Sequence, residues 1–458
     1  MERRLSICEI LRKGKEIVGQ NMQIFGWVRT RRDSKAGVSF VEINDGSSVR
    51  NLQIILDHAK FGDPKSSELF SRLHTGSSIM VEGVVTPSPA KGQEIEFVAS
   101  RVEIYGEADP STYPLQKKRH SFEFLRQIAH LRPRTNTISA VMRLRSALSY
   151  AIHDFFKKRG FYYIHTPIIT TSDCEGAGEV FRVTASKDGE EEFFGRPTYL
   201  TVSGQLQAEI YALALGKVYT FGPTFRAENS NTRRHLAEFW MVEPEAAFYD
   251  LNDDIALAKE FITVMIEAMF VECEEELAFF QRFIDEHLMD RLNNVLKKGF
   301  EIISYTEAIK MLSQHSKELE VVPSWGDDLQ SEHERFLTEV LVNGPLVVID
   351  YPRSLKPFYM RVNEDGETVA AMDILVPAVG EIVGGSQREE RLDVLIEQMR
   401  LKGMQIEGYE WYLDLRRYGS AHHAGFGLGL ERFIQFLTGI QNIRETIPFP
   451  RTPGHALF

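Results

Sequence analysis

Between residues 20 and 105 apolar positions recur at every second residue; beyond residue 137 they recur at three and four. The first pattern marks Gln23–Arg29, Ser39–Ile43, Leu52–Leu56, Ser78–Val85 and Glu94–Val98 as five short strands. Asp45-Gly46 and Pro87-Ser88-Pro89 supply turns between them, and Pro64 to Leu73 reads as an interrupting helical piece. Such strands close into a small barrel.

Two barrels fit that pattern, an oligonucleotide-binding (OB) fold and an SH3-like fold, and the first is the leading choice. Residues 106–136 change character, with Pro110, Pro114, Lys117-Lys118-Arg119-His120 and Arg132-Pro133-Arg134, and predict a hinge with no core of its own. From Thr137 the residues Ile138, Val141, Leu144, Leu148, Ile152 and Phe155 form one apolar helix face, closed by Lys157-Lys158-Arg159-Gly160. Phe161–Ile169 is expected as a strand, and Pro167 within it places that strand at an edge or interface. A second amphipathic helix is predicted over 251–275, a charged helical stretch over 276–340, strands from Pro345 to Glu381, and a short closing helix from Glu431 to Gly439. The domains are therefore expected at 1–105, with a linker at 106–136, and at 137–458, carrying a helical insertion at about 276–340. The fold class is α+β.

Hydrophobic content of 43% and charged content of 26% fit a globular protein. No apolar run approaches the roughly eighteen residues of a membrane span, and Met1-Glu2-Arg3-Arg4-Leu5 does not open a secretory signal. Cys8, Cys174 and Cys273 lie far apart, so neither a disulfide framework nor a structural zinc site is expected, and the cytoplasm is the default compartment. The net charge of −12 argues against a nucleic-acid binder until its distribution is considered. The first fifty residues hold ten Lys and Arg against six acids, a basic patch on an acidic body.

Phe225-Arg226-Ala227-Glu228 and Arg233-Arg234-His235-Leu236-Ala237-Glu238-Phe239 pack cations, an acid, a histidine and an aromatic into fifteen residues. Arg226 alone reads as a surface arginine paired with Glu228. The polar loop Asn229 to Thr232 changes that reading, because it brings several guanidinium forks over one pocket, where they can hold phosphate oxygens bidentately. Gly425, Gly427 and Gly429 recur by twos, so one strand face is stripped of side chains, either for tight packing or for a flat ligand. Arg432 follows at the start of the closing helix and favours the ligand. Asp373 and Glu381 bracket a strand over Ile374–Val379 and are candidates for Mg²⁺. Glu175 lies on a glycine-rich loop that fits either a lid over a substrate or a plain acidic surface. In the barrel, Arg29, Phe40 and Gln53 offer a cation, a stacking ring and an amide for a splayed base, with a core role for Phe40 as the alternative.

These segments resemble the signature motifs of the class II aminoacyl-tRNA synthetases, closest to the aspartate/asparagine/lysine subgroup. The resemblance runs from Gly26-Trp27-Val28-Arg29 to Phe449-Pro450-Arg451-Thr452-Pro453-Gly454-His455. It implies an N-terminal OB-fold anticodon-binding barrel and a catalytic domain built on an antiparallel sheet flanked by helices, paired into a homodimer through the Thr137 helix and the Pro167 strand. It further implies ATP and Mg²⁺, with Arg226 on the α-phosphate, Arg432 on the γ-phosphate, Glu228, Arg234, His235 and Gly429 lining the nucleotide, and Phe239 stacked on adenine. Asp373 and Glu381 would hold the metal. Glu175 would hold the substrate's α-amino group, and Phe40, Gln53 and Arg29 would meet the anticodon.

Thr201-Val202-Ser203-Gly204-Gln205-Leu206-Gln207-Ala208-Glu209 is the segment that discriminates within the subgroup. Aspartate enzymes of the family carry a lysine where Ala208 stands; here that cation is gone and Glu209 follows. A carboxylate can accept from an amide NH₂ and an arginine can donate to its carbonyl. Glu209 and Arg388, with Ser203 and Gln205, therefore imply L-asparagine and its tRNA(Asn) as substrates. Activity on aspartate, or a non-catalytic tRNA-binding paralogue, are the competing readings. Ala421-His422-His423-Ala424 departs from the family pattern, where proline precedes the second histidine, and is expected to affect loop shape alone.

Overall fold

The computed structural model describes residues 4–61, 64–172, 174, 179–185, 192–230 and 232–458, and the side chains of 64–67 are outside that description. Glu175 lies outside the described residues. The chain divides into two compact units, Met1–Ala140 and Val141–Phe458.

In the first unit, strands β1 (Asn21–Ser34), β2 (Val38–Asn44), β3 (Leu52–Asp57), β4 (Ser78–Pro87) and β5 (Ile95–Gly106) close in the order β1-β2-β3-β5-β4. The alternation that marks them in the sequence points Ile24, Val28, Val41, Ile43, Ile54, Val81 and Phe97 inward, each 1% exposed or less. Helix α1 (Ile7–Lys13) is fixed by a capping box between Ser6 and Glu9, and α2 (Pro64–Arg72) joins β3 to β4. β1 runs past the predicted end at Arg29 because a bulge between Val28 and Thr30 restarts the ladder. Residues 106–136 are more than a hinge. They form α3 (Phe122–Gln127) and bury Leu125, Ala129 and all of Arg132.

The second unit is built on an eight-stranded sheet in the order β12-β13-β14-β15-β16-β11-β10-β6. Its strands are β6 (Tyr162–Tyr163), β10 (Lys217–Phe225), β11 (Glu238–Ala247), β12 (Glu301–Ser304), β13 (Leu346–Pro352), β14 (Thr368–Val376), β15 (Gly380–Gln387) and β16 (His423–Gly429). From β13 to β10 every neighbouring pair is antiparallel. Helix α4 (Asn136–Lys158) buries the whole apolar stripe read from the sequence. The strand expected over Phe161–Ile169 does not form as one piece. β6 pairs with β10 at the sheet edge, whereas β7 (Ile169–Thr170) joins β8 (Arg182–Val183) and β9 (Thr198–Leu200) in a separate small sheet. Pro167 stands between the two pieces, where a residue without an N–H cannot continue a ladder.

Helix α5 (Gln205–Leu215) packs on β10 and β11, and α6 (Leu251–Glu272) on β14, β15 and β16. The 276–340 stretch holds α7 (Glu274–Phe283), α8 (Leu288–Lys298), α9 (Tyr305–Gln314) and α10 (Ser331–Arg335), but also β12, a strand the sequence reading missed. Four residues are too few to display a period, and only the parallel pairing of Glu301–Ser304 with Leu346–Ile349 makes them a strand. Helices α11 (Leu392–Leu401), α12 (Glu410–Arg417) and α13 (Leu430–Thr438) complete the unit.

Candidate active site

β10 ends at Phe225, so Arg226 leaves the sheet where β11 returns with Phe239. The Arg226 guanidinium lies 5.5 Å from the centre of the Phe239 ring. His235 sits among Glu228, Arg432, Arg226 and Arg234; burial lowers its pKa, Glu228 opposes the fall and the three arginines add to it. Arg432, in the first turn of α13, reaches the carboxylate of Glu381 at 3.4 Å. Arg234 donates to Ser331 Oγ at 2.6 Å and lies 3.6 Å from Glu334. Arg226, Glu228, Arg234, His235, Phe239, Glu381 and Arg432 thus border one region.

The three glycines of β16 divide. A side chain at Gly425 would run into Glu245 and Pro244, and one at Gly427 would meet Met241 at 2.6 Å, so these two serve close packing. Only Gly429 faces open space.

Asp373 and Glu381 do not bracket a single strand. Asp373 lies within β14 and Glu381 within β15, two antiparallel strands joined by a tight turn, with Asp373 opposite Gly384. A bulge between Ile374 and Leu375 sets Glu381 rather than Ile382 opposite Leu375. A side chain grown at Gly384 would come 3.3 Å from Glu381 Oε1 and 3.5 Å from Asp373 Oδ1, so both carboxylates converge over a bare stretch of backbone. Burial raises the Asp373 carboxyl, against Lys356, whose Nζ lies 2.6 Å away. Two converging carboxylates suit Mg²⁺, which prefers oxygen ligands and keeps most of its waters.

The densest cluster surrounds Glu209, on α5 and fully buried. Its Oε2 accepts from Tyr412 Oη at 2.7 Å, Arg416 Nη2 at 2.9 Å and His423 Nε2 at 3.0 Å. Among the described residues Oε1 accepts only from Gln205 Nε2, at 3.1 Å, and it faces Arg388 Nε at 4.0 Å. Burial by itself would raise this carboxyl; Arg416, His423 and Arg388 together hold it below the ordinary carboxylate range. Arg388 is clamped by both oxygens of Glu245 and donates to Ser386 Oγ at 2.9 Å. Burial lifts Glu245 to about 8 despite Arg388, with Glu209 adding to the rise. Ser203 and Gln205 are not directed at open space, because Ser203 Oγ donates to Glu243 and Gln205 bonds Glu209.

On the barrel, Phe40 and Gln53 sit half-buried on the outer faces of β2 and β3, which removes the core alternative for Phe40. The Arg32 guanidinium lies 5.2 Å from the centre of the Phe40 ring, and Gln53 Nε2 donates to Glu96 at 3.3 Å. Arg29 donates to Asn136, and its charge also interacts with Glu42, which pairs across from Gln53.

Residues 121–453 match the family of class II tRNA synthetases for D, K and N, and residues 22–105 match the OB-fold nucleic acid binding domain. The chain belongs to the class II tRNA synthetases. Of the two barrels considered from sequence, the OB fold is the one present. Among the relatives of this synthetase chain, the asparagine–tRNA ligase of Syntrophobacter fumaroxidans is 61% identical, over 99% of each chain. That of Desulfotalea psychrophila is 59% identical over 95% of this chain and 96% of its own. The asparaginyl-tRNA synthetase of Pyrococcus horikoshii, solved in complex with asparaginyl-adenylate, superposes with a TM-score of 0.89 at 34% identity and covers 100% of both chains.

Several groups of the synthetase site escaped the sequence reading. Tyr412, Arg416 and Glu245 were not singled out, and His423, expected to affect only loop shape, is a direct partner of Glu209. The available signal was Glu243-Pro244-Glu245 inside the otherwise apolar strand Phe239 to Ala247. Two acids in a buried strand call for buried cations. Asp254 on α6, 1% exposed, has neither carboxylate oxygen hydrogen-bonded among the described residues, and burial pushes it well above its ordinary value.

Glu334 on α10 was also missed. Burial, then Glu381, lifts its carboxyl from 4.5 to about 7, against Arg432 and Arg234. The folded chain therefore keeps this proton to a higher pH than the unfolded chain does, so stability falls as pH rises between those two values. Glu334→Gln is expected to flatten that part of the profile. Thermal unfolding at pH 5 and pH 7 checks it, and an unchanged slope would mean that Glu334 ionises normally.

Proposed function

We propose that the chain activates L-asparagine with ATP, giving asparaginyl-adenylate and pyrophosphate, then passes asparagine to the 3′ end of tRNA(Asn) with release of AMP. The observation that carries this reading is Glu209, held ionised beside Arg388 with Ala208 in place of a cation. Oε1 keeps acceptor capacity for the amide NH₂ of asparagine. Arg388 uses three hydrogen bonds on Glu245 and Ser386, which leaves two of a guanidinium's five N–H groups, one of them for the amide carbonyl. Aspartate would set its carboxylate against that of Glu209. Ser203 and Gln205 act by holding Glu243 and Glu209 in place, and Glu175 is assigned the α-amino group.

Arg226 grips the α-phosphate and Arg432 the far end of the triphosphate, with Glu228, Arg234 and His235 along the nucleotide. Phe239 stacks on adenine, and the bare backbone at Gly429 leaves room for it. The asparagine carboxylate oxygen attacks the α-phosphorus, and the bond to the bridging oxygen breaks as pyrophosphate leaves. The terminal ribose hydroxyl of the tRNA then attacks the carbonyl carbon, its proton passes to a phosphate oxygen of the adenylate, and AMP departs with the bonding pair. Asp373 and Glu381 would hold Mg²⁺, which supplies neutralising charge for the phosphates. Positioning and charge neutralisation are what the protein contributes. Pyrophosphate exchange with asparagine and aspartate side by side tests the assignment; equal exchange with both would sink it.

Phe40 and Gln53 are assigned the anticodon. Phe40→Ala and Gln53→Ala are expected to raise the KM for tRNA, by about tenfold or more for a lost base stack, and to leave asparagine-dependent exchange unchanged. Loss of exchange would show that these side chains support the fold instead. The functional unit is proposed as a homodimer in the cytoplasm, paired through α4 and the edge strand β6, where Tyr162 is 59% and Tyr163 51% exposed. A monomeric mass at micromolar concentration with full activity would overturn the dimer. Among the described residues no helix is long and apolar enough to cross a membrane.

A further inference from the structure

A cavity of about 210 Å³ opens between the β10–β11 loop, α8, α10 and the end of α13. It is larger than the roughly 150 Å³ cavity that accommodates benzene in an engineered protein. Four guanidiniums line it, those of Arg233, Arg234, Arg291 and Arg335, together with Gln435 and Gly439. They come from three segments far apart in the sequence, so no local run of charge explains their meeting.

Three carboxylates balance part of this charge. Asp285 pairs with Arg291 at 2.7 Å, Glu334 with Arg234 at 3.6 Å and Glu339 with Arg335 at 3.0 Å. Three acids against four arginines leave an excess of positive charge. Arg291 is the most informative of the four. Its side chain is 11% exposed, and its Nε and Nη2 are buried with no hydrogen-bond partner among the described residues. Buried donors without acceptors are destabilising, so this guanidinium, 5.9 Å from the centre of the Phe436 ring, keeps hydrogen-bonding capacity beyond its pair with Asp285. The C-terminal end of α13 does not oppose this, because Gly439 N–H caps Gln435 O and Gln435 Nε2 donates to Ile440 O at 3.2 Å.

Arg234 joins this cavity to the nucleotide region, where its charge interacts with that of Arg432. We propose that the cavity is a binding site for a small phosphoanion, pyrophosphate in particular, which collects the leaving group once Arg234 lets go of Glu334. The inference rests on the ATP-site reading above. Two linked phosphates can each engage a fork-shaped guanidinium, which a single carboxylate cannot. The site is separate from the residues assigned to ATP except at Arg234.

The test uses the full chain in ATP–pyrophosphate exchange, with pyrophosphate varied, for wild type, Arg291→Gln and Arg335→Gln. Each variant is expected to raise the KM for pyrophosphate by about tenfold, the loss of one charged hydrogen-bonding partner, with the KM values for ATP and asparagine unchanged. Calorimetric titration of pyrophosphate, and separately of inorganic phosphate, into the protein without ATP should show the same weakening. Arg335, 55% exposed, keeps the test sound should Arg291→Gln fail to fold. An unchanged pyrophosphate KM in Arg335→Gln overturns the proposal. So does a parallel rise in the KM for ATP, which would make these arginines part of the nucleotide site, or a rise in the KM for tRNA alone, which would assign them to its backbone. Near-normal exchange in Arg226→Ala would remove the ATP-site reading while leaving the pyrophosphate titration to stand or fall by itself.

Discussion

Glu209→Gln is expected to lose most of the preference for asparagine over aspartate and to lower the melting temperature in the same step. The substitution keeps the size and removes the charge. Aspartate is rejected because its carboxylate would face an ionised, buried one, and a site built on hydrogen bonds can reject such a substrate by roughly a thousandfold or more. Neutralising Glu209 removes most of that penalty. The same carboxylate is the counterion of Arg416, which is 6% exposed and bonds it at 2.9 Å, and it also receives Tyr412 and His423. Breaking a buried pair from one side typically costs about 3–5 kcal/mol. The measurements are the ratio of kcat/KM for the two amino acids and thermal unfolding of the same variant. If stability falls but the ratio holds, Glu209 is a structural anchor and does not read the side chain. Restoring a lysine at Ala208 as well should tilt preference further toward aspartate. Ala208 is fully buried, however, so the longer side chain must displace its neighbours.

Arg226→Ala and Arg432→Ala should each reduce adenylate formation by about 10²–10³ while leaving the fold intact, the usual loss when a group opposing transition-state charge is removed. The two need not fail alike. Arg226 lies over Phe239, so its loss also frees the ring assigned to adenine, and the KM for ATP should rise with the fall in kcat. Arg432 touches Glu381, so its loss leaves Glu381 facing Asp373 and Glu334 with less positive charge nearby. That variant should need less Mg²⁺ for half-maximal exchange, because the two carboxylates lose a cation that competes with the metal. Near-normal exchange in either variant would remove the basis for placing the triphosphate there.

The sequence by itself determined whatever is written in a local period or a short cluster. The barrel strands were legible because one face of each is buried, and burial on one side imposes alternation. Helix α4 was legible because its stripe from Ile138 to Phe155 spans several turns. Arg226, His235 and Phe239 were legible because one strand–loop–strand unit carries them all. Pro167 announced an interruption, although its position did not reveal that the two pieces would enter different sheets.

Tertiary structure alone decided the centre of the site. Glu209 meets Tyr412, Arg416 and His423 across 203, 207 and 214 residues, and Arg388 meets Glu245 across 143. No window along the chain contains both partners of such a pair. Their charges also carry no periodic signal, since a buried acid looks like a surface acid until its counterion is located. The same holds for β12, a strand only through its neighbour β13, and for the division of the β16 glycines, where Glu245 and Met241 lie against two and leave Gly429 open. Burial makes these pairings strong, because low dielectric magnifies both the attraction between partners and the cost of lacking one.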